Sequence, residues 1–252
     1  MMLKIAYLGE KFYGFVKQPG LRTVEGDVLN ALDRIGLNPE SEIKIYPASR
    51  TDRGVSALCN VVRAGIERDN ICRILTALLT DVWVYGYNLV DWNPRHCTKH
   101  YIYFLSKTYN TEKMGACCSL FSGVHDFSAF TRAKENTVRE INVSFKVKGD
   151  VTLLHFAGRS FLWEMIRRCV TGMENYLSGK WTESELNRVL EGRSEKVPPA
   201  PAENLLLADL EYESSFLLDQ FSIERMQKEF CSRYRIHSMK KVFFKELLDI
   251  LP

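Results

Sequence analysis

Three segments of the chain carry residue types that could do chemistry. The most compact is Ala48-Ser49-Arg50-Thr51-Asp52-Arg53-Gly54-Val55-Ser56-Ala57, where one carboxylate sits between two arginines and beside a glycine. A carboxylate with cations close by keeps its negative form, and that form is what a nucleophile or base requires. The competing reading is a turn, since Asp and Gly are both favoured there and Asp can bond its own backbone. The second segment is a helix expected over Ser160–Leu177. Stepping about 100° per residue from Trp163 puts Ile166 and Val170 within about 60° of it and Arg167 within about 40°. An arginine on an apolar face either snorkels its head to water or is buried against an acid. Asp52 is the one carboxylate of the Ala48–Ala57 loop, so Asp52 and Arg167 are nominated as a pair. Arg168 and Glu164 fall on the polar flank, where an i,i+4 pair reads as solvated and contributes little. The third segment is Lys99-His100-Tyr101-Ile102-Tyr103, in which the Tyr101 phenol could handle a proton. Packing on a strand face is the competing reading for Tyr101.

Other constellations are weaker. His125-Asp126 mimics a dyad, but neighbouring residues on a strand or turn point apart, which favours capping. His96, Cys97 and His100 with Cys117-Cys118 invite a zinc reading, yet adjacent cysteines lack the spacing that tetrahedral zinc favours. Satisfied or solvated side chains are the stronger reading there. No Ser/His/Asp set, P-loop or Gly-x-Gly-x-x-Gly is present.

Elements must hold these residues in place. Leu3–Gly9 reads as a strand, and Thr23 as the N-cap of a helix to about Ile35 with Val24, Val28, Leu29 and Leu32 on one face. Ile43–Tyr46 and Cys59–Ile66 read as strands, Asp69 as the cap of a helix through Leu79, and Val82–Val90 as a strong strand. The order β-α-β-β-α-β is the ferredoxin-like pattern shared by RNA-recognition domains. The second half repeats it loosely. Lys99–Ser106 alternates, with Tyr101, Tyr103 and Leu105 on one face. A short helical stretch precedes Gly123, and Ile141–Lys148 with Val151–Phe156 form a hairpin around Gly149-Asp150. Helices follow over Ser160–Leu177 and Thr182–Leu190, then a stiff loop marked by Pro198, Pro199 and Pro201, then a strand over Leu205–Tyr212. The fold class is α+β. The halves are 1–92, carrying the Asp52 loop, and 93–213, carrying Tyr101 and Arg167, joined near Asp91–Pro94. A helical extension fills 214–252.

Composition limits the classes. In 252 residues, 46% apolar and 26% charged types are enough to bury a core, which excludes a disordered chain. Seven cysteines without framework spacing fit reduced thiols in the cytosol. Neither a signal-peptide pattern nor a membrane-spanning run is found. A net charge of +3 announces no nucleic acid by itself. Phosphate binding needs a local cluster instead, and Arg22, Arg50, Arg53, Arg95, Lys99, Arg159 and Arg167 all lie within or beside the segments that carry the chemistry or the motifs around them.

Taken in order, the motifs of the chain resemble those of the TruA-type tRNA pseudouridine synthases. The resemblance rests on Tyr7-Leu8-Gly9 with Phe12-Tyr13-Gly14-Phe15 and Gln18-Pro19, Arg22-Thr23-Val24-Glu25-Gly26, Arg50 through Ala57, Lys99 through Tyr103, Gly123 through Phe127 with Phe130, Phe161 through Arg168, and Pro199 through Leu207. It covers about Leu3 to Tyr212. It implies a mixed, mostly antiparallel sheet from two RNA-recognition-like halves flanked by helices. It implies Asp52 as the essential aspartate, Arg167 paired with it, and Tyr101 against the target uracil and able to take the C5 proton. Leu205 or a neighbour would pack on the uracil face, and Arg50 would hold the flipped nucleotide or fill its place. Arg22, Arg53 and Lys99 join the substrate-binding set. The resemblance further implies a tRNA substrate modified at position 38, 39 or 40 of the anticodon arm, a homodimer, and neither metal nor organic cofactor. The sequence departs from the family pattern at Ser49 and Asn204, where Gly is usual, in a short Thr108–Ser122 stretch, and in the mixed-charge tail after Ser214, which could bind RNA or brace a dimer. The rival functions are an inactive RNA-binding protein on the same scaffold, a pseudouridine synthase with another RNA target, and an aspartate-dependent hydrolase. The last would want a second positioned carboxylate.

Overall fold

The computed structural model describes residues 1–37, 43–90, 92–193, 195–212 and 214–250. Position 91 of the expected junction and position 213 of the expected boundary lie outside the described residues.

The first half runs β1 (Met2–Tyr7), α1 (Val24–Arg34), β2 (Ile45–Pro47), β3 (Ser56–Ala64), α2 (Ile71–Leu78) and β4 (Val82–Asn88). Its strands lie in the order β4-β1-β3-β2, all antiparallel. The second half runs β5 (Thr98–Leu105), α3 (Thr111–Phe121), β6 (Gly123–Asp126), β7 (Val138–Lys148), β8 (Val151–Gly158), α4 (Met165–Leu177), α5 (Glu183–Leu190) and β9 (Leu205–Glu211). With β6 set aside at the edge, its order is β9-β5-β8-β7. Numbered within each half, both read fourth-first-third-second, the order of a split βαβ unit. The loose repeat in the sequence is therefore a repeat of topology.

The two halves join through one parallel pairing, Ser56 and Ala57 of β3 beside Leu206 and Leu207 of β9. The short β2 pairs farther along β3, at Val62–Ala64. The start of β3 is thus the seam of the sheet, and residues 48–55 form the loop that leads into it. One core cluster draws on both halves, including Tyr7, Leu32 and Leu75 from the first and Tyr103, Phe156 and Met173 from the second. Each such side chain contributes on the order of 2 kcal/mol by leaving water.

Local signals explain most boundaries. The Thr23 side chain accepts from the Gly26 amide, capping α1. Thr182 and Glu185 form a reciprocal capping box on α5. Gly149 at φ +59° turns the β7–β8 hairpin. Two helix starts differ from expectation. Asn70, not Asp69, precedes α2, in a left-handed conformation with no side-chain cap. Helix α4 begins at Met165 and not at Ser160, because Glu164 takes a left-handed φ of +62° and breaks the helix there.

The tail adds β10 (Leu217–Leu218), which pairs with β4, and α6 (Gln220–Ile250). Met226 packs with Ala6, Trp83 and Tyr85 on the other face of β1 and β4. Arg233 then bonds Asp81 and Glu10. Beyond it, Met239, Phe243, Phe244 and Leu248 are exposed. None of the described helices is long and apolar enough to cross a membrane.

Candidate active site

The Asp52 loop is bolted to the sheet on both flanks. On one side, Tyr7 Oη lies 2.7 Å from Thr51 Oγ1 and accepts from Asn60 Nδ2 at 3.2 Å. Asn60, fully buried on β3, also donates to the Ser49 carbonyl at 2.9 Å and accepts from the Ser49 amide at 3.3 Å. On the other side, the Phe15 amide donates to the Thr51 carbonyl and the Gly54 amide to the Phe12 carbonyl. Gly54 turns the chain at φ +84°, a conformation that a side chain would strain. Gly9 lets the backbones touch, since a Cβ there would lie 2.3 Å from the Val55 carbonyl oxygen.

Arg167 on α4 reaches this loop across 115 positions of sequence. Its Nε and Nη2 donate to Asp52 Oδ2 at 3.3 and 3.0 Å, and its Nη1 to the Ala200 carbonyl at 3.0 Å. Both bonds fall on Oδ2, and Oδ1 has no hydrogen-bond partner among the described residues. Burial pushes the Asp52 carboxyl above its usual value, with Arg167 pulling the other way. The sequence expectation that Arg50 and Arg53 hold Asp52 ionised gives way to this arrangement. Arg50 is exposed, and Arg53 lies over the Tyr13 ring at 4.3 Å.

Behind Arg167 stands a second carboxylate. Glu164 Oε1 is 3.4 Å from Arg167 Nη2, while Oε2 accepts from Arg132 Nε at 2.9 Å and from Arg168. Burial works against its charge, but the bonds from Arg168 and Arg132 carry the carboxyl below its usual value. The solvated Arg168–Glu164 pair expected from the helical wheel is corrected here. Both side chains are only 8% exposed, because the Val197 carbonyl of the proline loop accepts from Arg168 on that flank.

Tyr101 is buried on β5, its hydroxyl 2.6 Å from Ser49 Oγ and its ring edge-on to Phe161. Burial drives its pKa well above the usual tyrosine value. Leu205 is buried where β9 begins, one residue from the seam. The structure therefore brings Asp52, Arg167, Tyr101 and Leu205 to one place. It does not bring Arg22 or Lys99 there as free cations. Arg22 stacks on Phe12 and pairs with Asp27 and Asp81. Lys99 is buried and donates to the carbonyls of Arg95, Cys97 and Arg159, and its pKa is lowered by burial. The basic cluster at the surface thus reduces to Arg50, Arg53, Arg95 and Arg159, all exposed.

The sequence reading missed Asn60 and Arg132, and took Glu164 only as the solvated partner of Arg168. A lone Asn inside the apolar strand Cys59–Val62, and a Glu three and four positions before two arginines, were the available signals. His125 and Asp126 do point apart. His125 Nε2 lies 3.0 Å from the Ser122 carbonyl, while Asp126 caps the turn at Ser128. Among the described residues no cluster of three or more His, Cys, Asp or Glu could hold a metal ion. All seven cysteines are free thiols, six of them buried.

Residues 117–213 match a family model described as tRNA pseudouridine synthase. Over nearly the whole chain, the tRNA pseudouridine synthase A of Pyrococcus furiosus is 41% identical, covering 98% of this chain and 96% of that protein. The chain belongs to the tRNA pseudouridine synthase A family. The Pyrococcus horikoshii member is 44% identical over 92% of this chain and 93% of its own length. The Methanosarcina mazei member is 32% identical over 98% and 97%. The similarity to the Pyrococcus furiosus and Methanosarcina mazei members, at 98% of this chain, takes in both halves and the tail, so the extension after Ser214, which looked extra in the sequence, lies within the length shared with them.

Proposed function

We propose that this chain isomerises uridine in the anticodon arm of tRNA, at positions 38, 39 or 40, to pseudouridine, with Asp52 as the nucleophile. The observation that carries the reading is the half-occupied carboxylate, with Oδ2 clamped by Arg167 and Oδ1 left without a protein partner among the described residues. The reaction breaks the N1–C1′ bond and joins C5 to the same carbon, and a proton leaves C5 while N1 gains one. Attack at C1′, attack at C6 and abstraction of the C2′ proton all draw on the same free oxygen. The target base must leave the stack to reach it. In this reading Tyr101 and Leu205 pack against the uracil, and exposed Arg50 holds the flipped nucleotide or takes its place. Tyr101, whose hydroxyl lies 2.6 Å from Ser49 Oγ, is the group proposed to take the C5 proton. No metal or organic cofactor is called for by these residues. Free, mostly buried thiols support a cytoplasmic enzyme, and the exposed apolar side chains late in α6 support a homodimer.

The test uses tRNA carrying tritium at uridine C5. Release by the native chain and none by Asp52→Ala is expected; release by the variant at the native rate sinks the proposal. Binding of tRNA without release by the native chain would favour an inactive RNA-binding protein instead.

A further inference from the structure

Trp163 is a large aromatic exposed beside the Asp52 site. It is 58% exposed, although an indole presents a large apolar surface that folding normally covers. Its backbone is fixed, since its carbonyl accepts from Thr131 Oγ1 at 3.0 Å and the next residue is the clamped Glu164. The Arg132 guanidinium lies over one face of the ring, 4.9 Å from its centroid. With that much of the residue still open, the ring is not covered on both faces. Arg132 is itself 54% exposed and is held by its Nε on Glu164 Oε2. Its charge is felt at Asp52. The pair is therefore an aromatic plane and a cation, both anchored, at the rim of the carboxylate that would receive the flipped base.

We propose that Trp163 and Arg132 grip the nucleotide next to the flipped uridine, with the base stacked on the indole and its phosphate against the guanidinium. This rests on the function proposed above and assigns a positioning site to the same RNA. Stacking tolerates any base, because every base has a π-face. It would hold the strand open at the point where the target base leaves it.

The test compares the native chain with Trp163→Ala and Trp163→Phe, using unmodified tRNA transcript as the probe. Trp163→Ala is expected to raise KM about tenfold, with a smaller fall in kcat, and Trp163→Phe to restore most of the loss. A ring that merely braced Glu164 would instead lower kcat and leave KM in place. Indole fluorescence gives a second readout that needs no turnover. Titrating tRNA should quench the native chain more than Trp163→Phe, the difference reporting Trp163 itself. A KM for Trp163→Ala within twofold of native, or equal quenching in the native and Trp163→Phe chains, overturns the proposal. Failure of the reaction itself appears differently, as a native chain that forms no pseudouridine while its quenching still reads the stacking.

Discussion

Asp52 and Asp81 are both carboxylates paired with cations, and the contrast between them separates the proposed nucleophile from a brace. Asp81 is 5% exposed on its side chain and receives Arg22, Arg233 and Lys11, with contacts on both oxygens. It ties the α1 region to α6 through a residue at φ +64°. Asp52 is 22% exposed and receives one arginine, on one oxygen. Saturation makes a carboxylate a good anchor and a poor nucleophile, because both oxygens already have cationic donors. Asp52 is left unsaturated by its surroundings, since Glu164 draws Arg168 and Arg132 to itself and only Arg167 reaches across.

The largest expected effect breaks this contrast at its centre. Asp52→Asn keeps the shape of the side chain and should lower pseudouridine formation by at least about 10³-fold. Asp81→Asn should leave activity within a few-fold while lowering stability by about 1–2 kcal/mol, since it strips charge from a pair of arginines that are partly exposed. Asn tolerates the left-handed backbone at position 81, so the variant tests the charge and not the turn. Rates on tRNA and chemical denaturation of both variants decide it. Equal losses of activity would erase the distinction.

Next in size is Arg167→Met, expected to cost activity about 10²-fold through lost charge stabilisation at the carboxylate. Its sharper signature is pH dependence. The Asp52 carboxyl is raised in the folded chain, and the proposed reaction needs its ionised form. Activity should therefore be present above that raised value and lost as pH falls through it, so the acid limb lies above the ordinary aspartate value of about 3.9. Arg167 is the influence that lowers it, and removing Arg167 should move the limb further up. Stability runs the opposite way. A raised folded value favours the protonated form, so the contribution of Asp52 is full below its unfolded value and is lost as pH rises through the folded one. Asp52→Asn should flatten that segment of the stability profile. A limb that stays in place in Arg167→Met would mean that the pair is not coupled as drawn.

Much of this site was legible before the fold. The wheel placed Arg167 on an apolar face, and an arginine there needs an acid, which was enough to pair it with Asp52. The alternation of β5 put Tyr101, Tyr103 and Leu105 on one face, and that face is buried. Lys99 shares their parity, so its burial was also readable, but its three carbonyl partners lie in the turns and bends beside β5 and β8, which no periodicity encodes. Arg168 was misread for a similar reason. The wheel describes one helix, whereas the flank of α4 is covered by the proline loop 29 positions later. Arg22 was grouped with the phosphate-binding cations because it sits in a motif, yet Asp81 lies 59 positions away and the contact comes from the docking of α1 beside the turn before β4. Periodicity shows which face is inward; it does not show what waits there.

The smallest expected effect refines the idea of saturation around Asp81. Lys11 is 58% exposed and approaches Asp81 Oδ2 at 3.5 Å, whereas Arg233 donates to Oδ1 at 2.7 Å with a side chain 24% exposed. Water screens the first contact and the lysine must give up rotamer freedom to hold it, so Lys11→Met should change stability by no more than about 0.5 kcal/mol. Arg233→Met removes a bond to the buried carboxylate together with contacts to Glu10 and Glu229, and should cost about 1 kcal/mol. Added salt should narrow the gap little, because the carboxylate that both cations share is buried. If the two variants prove equal in denaturant midpoint, then Asp81 is held by the number of cations around it and not by where their bonds fall. The free oxygen of Asp52 would then lose its counterpart in a saturated one.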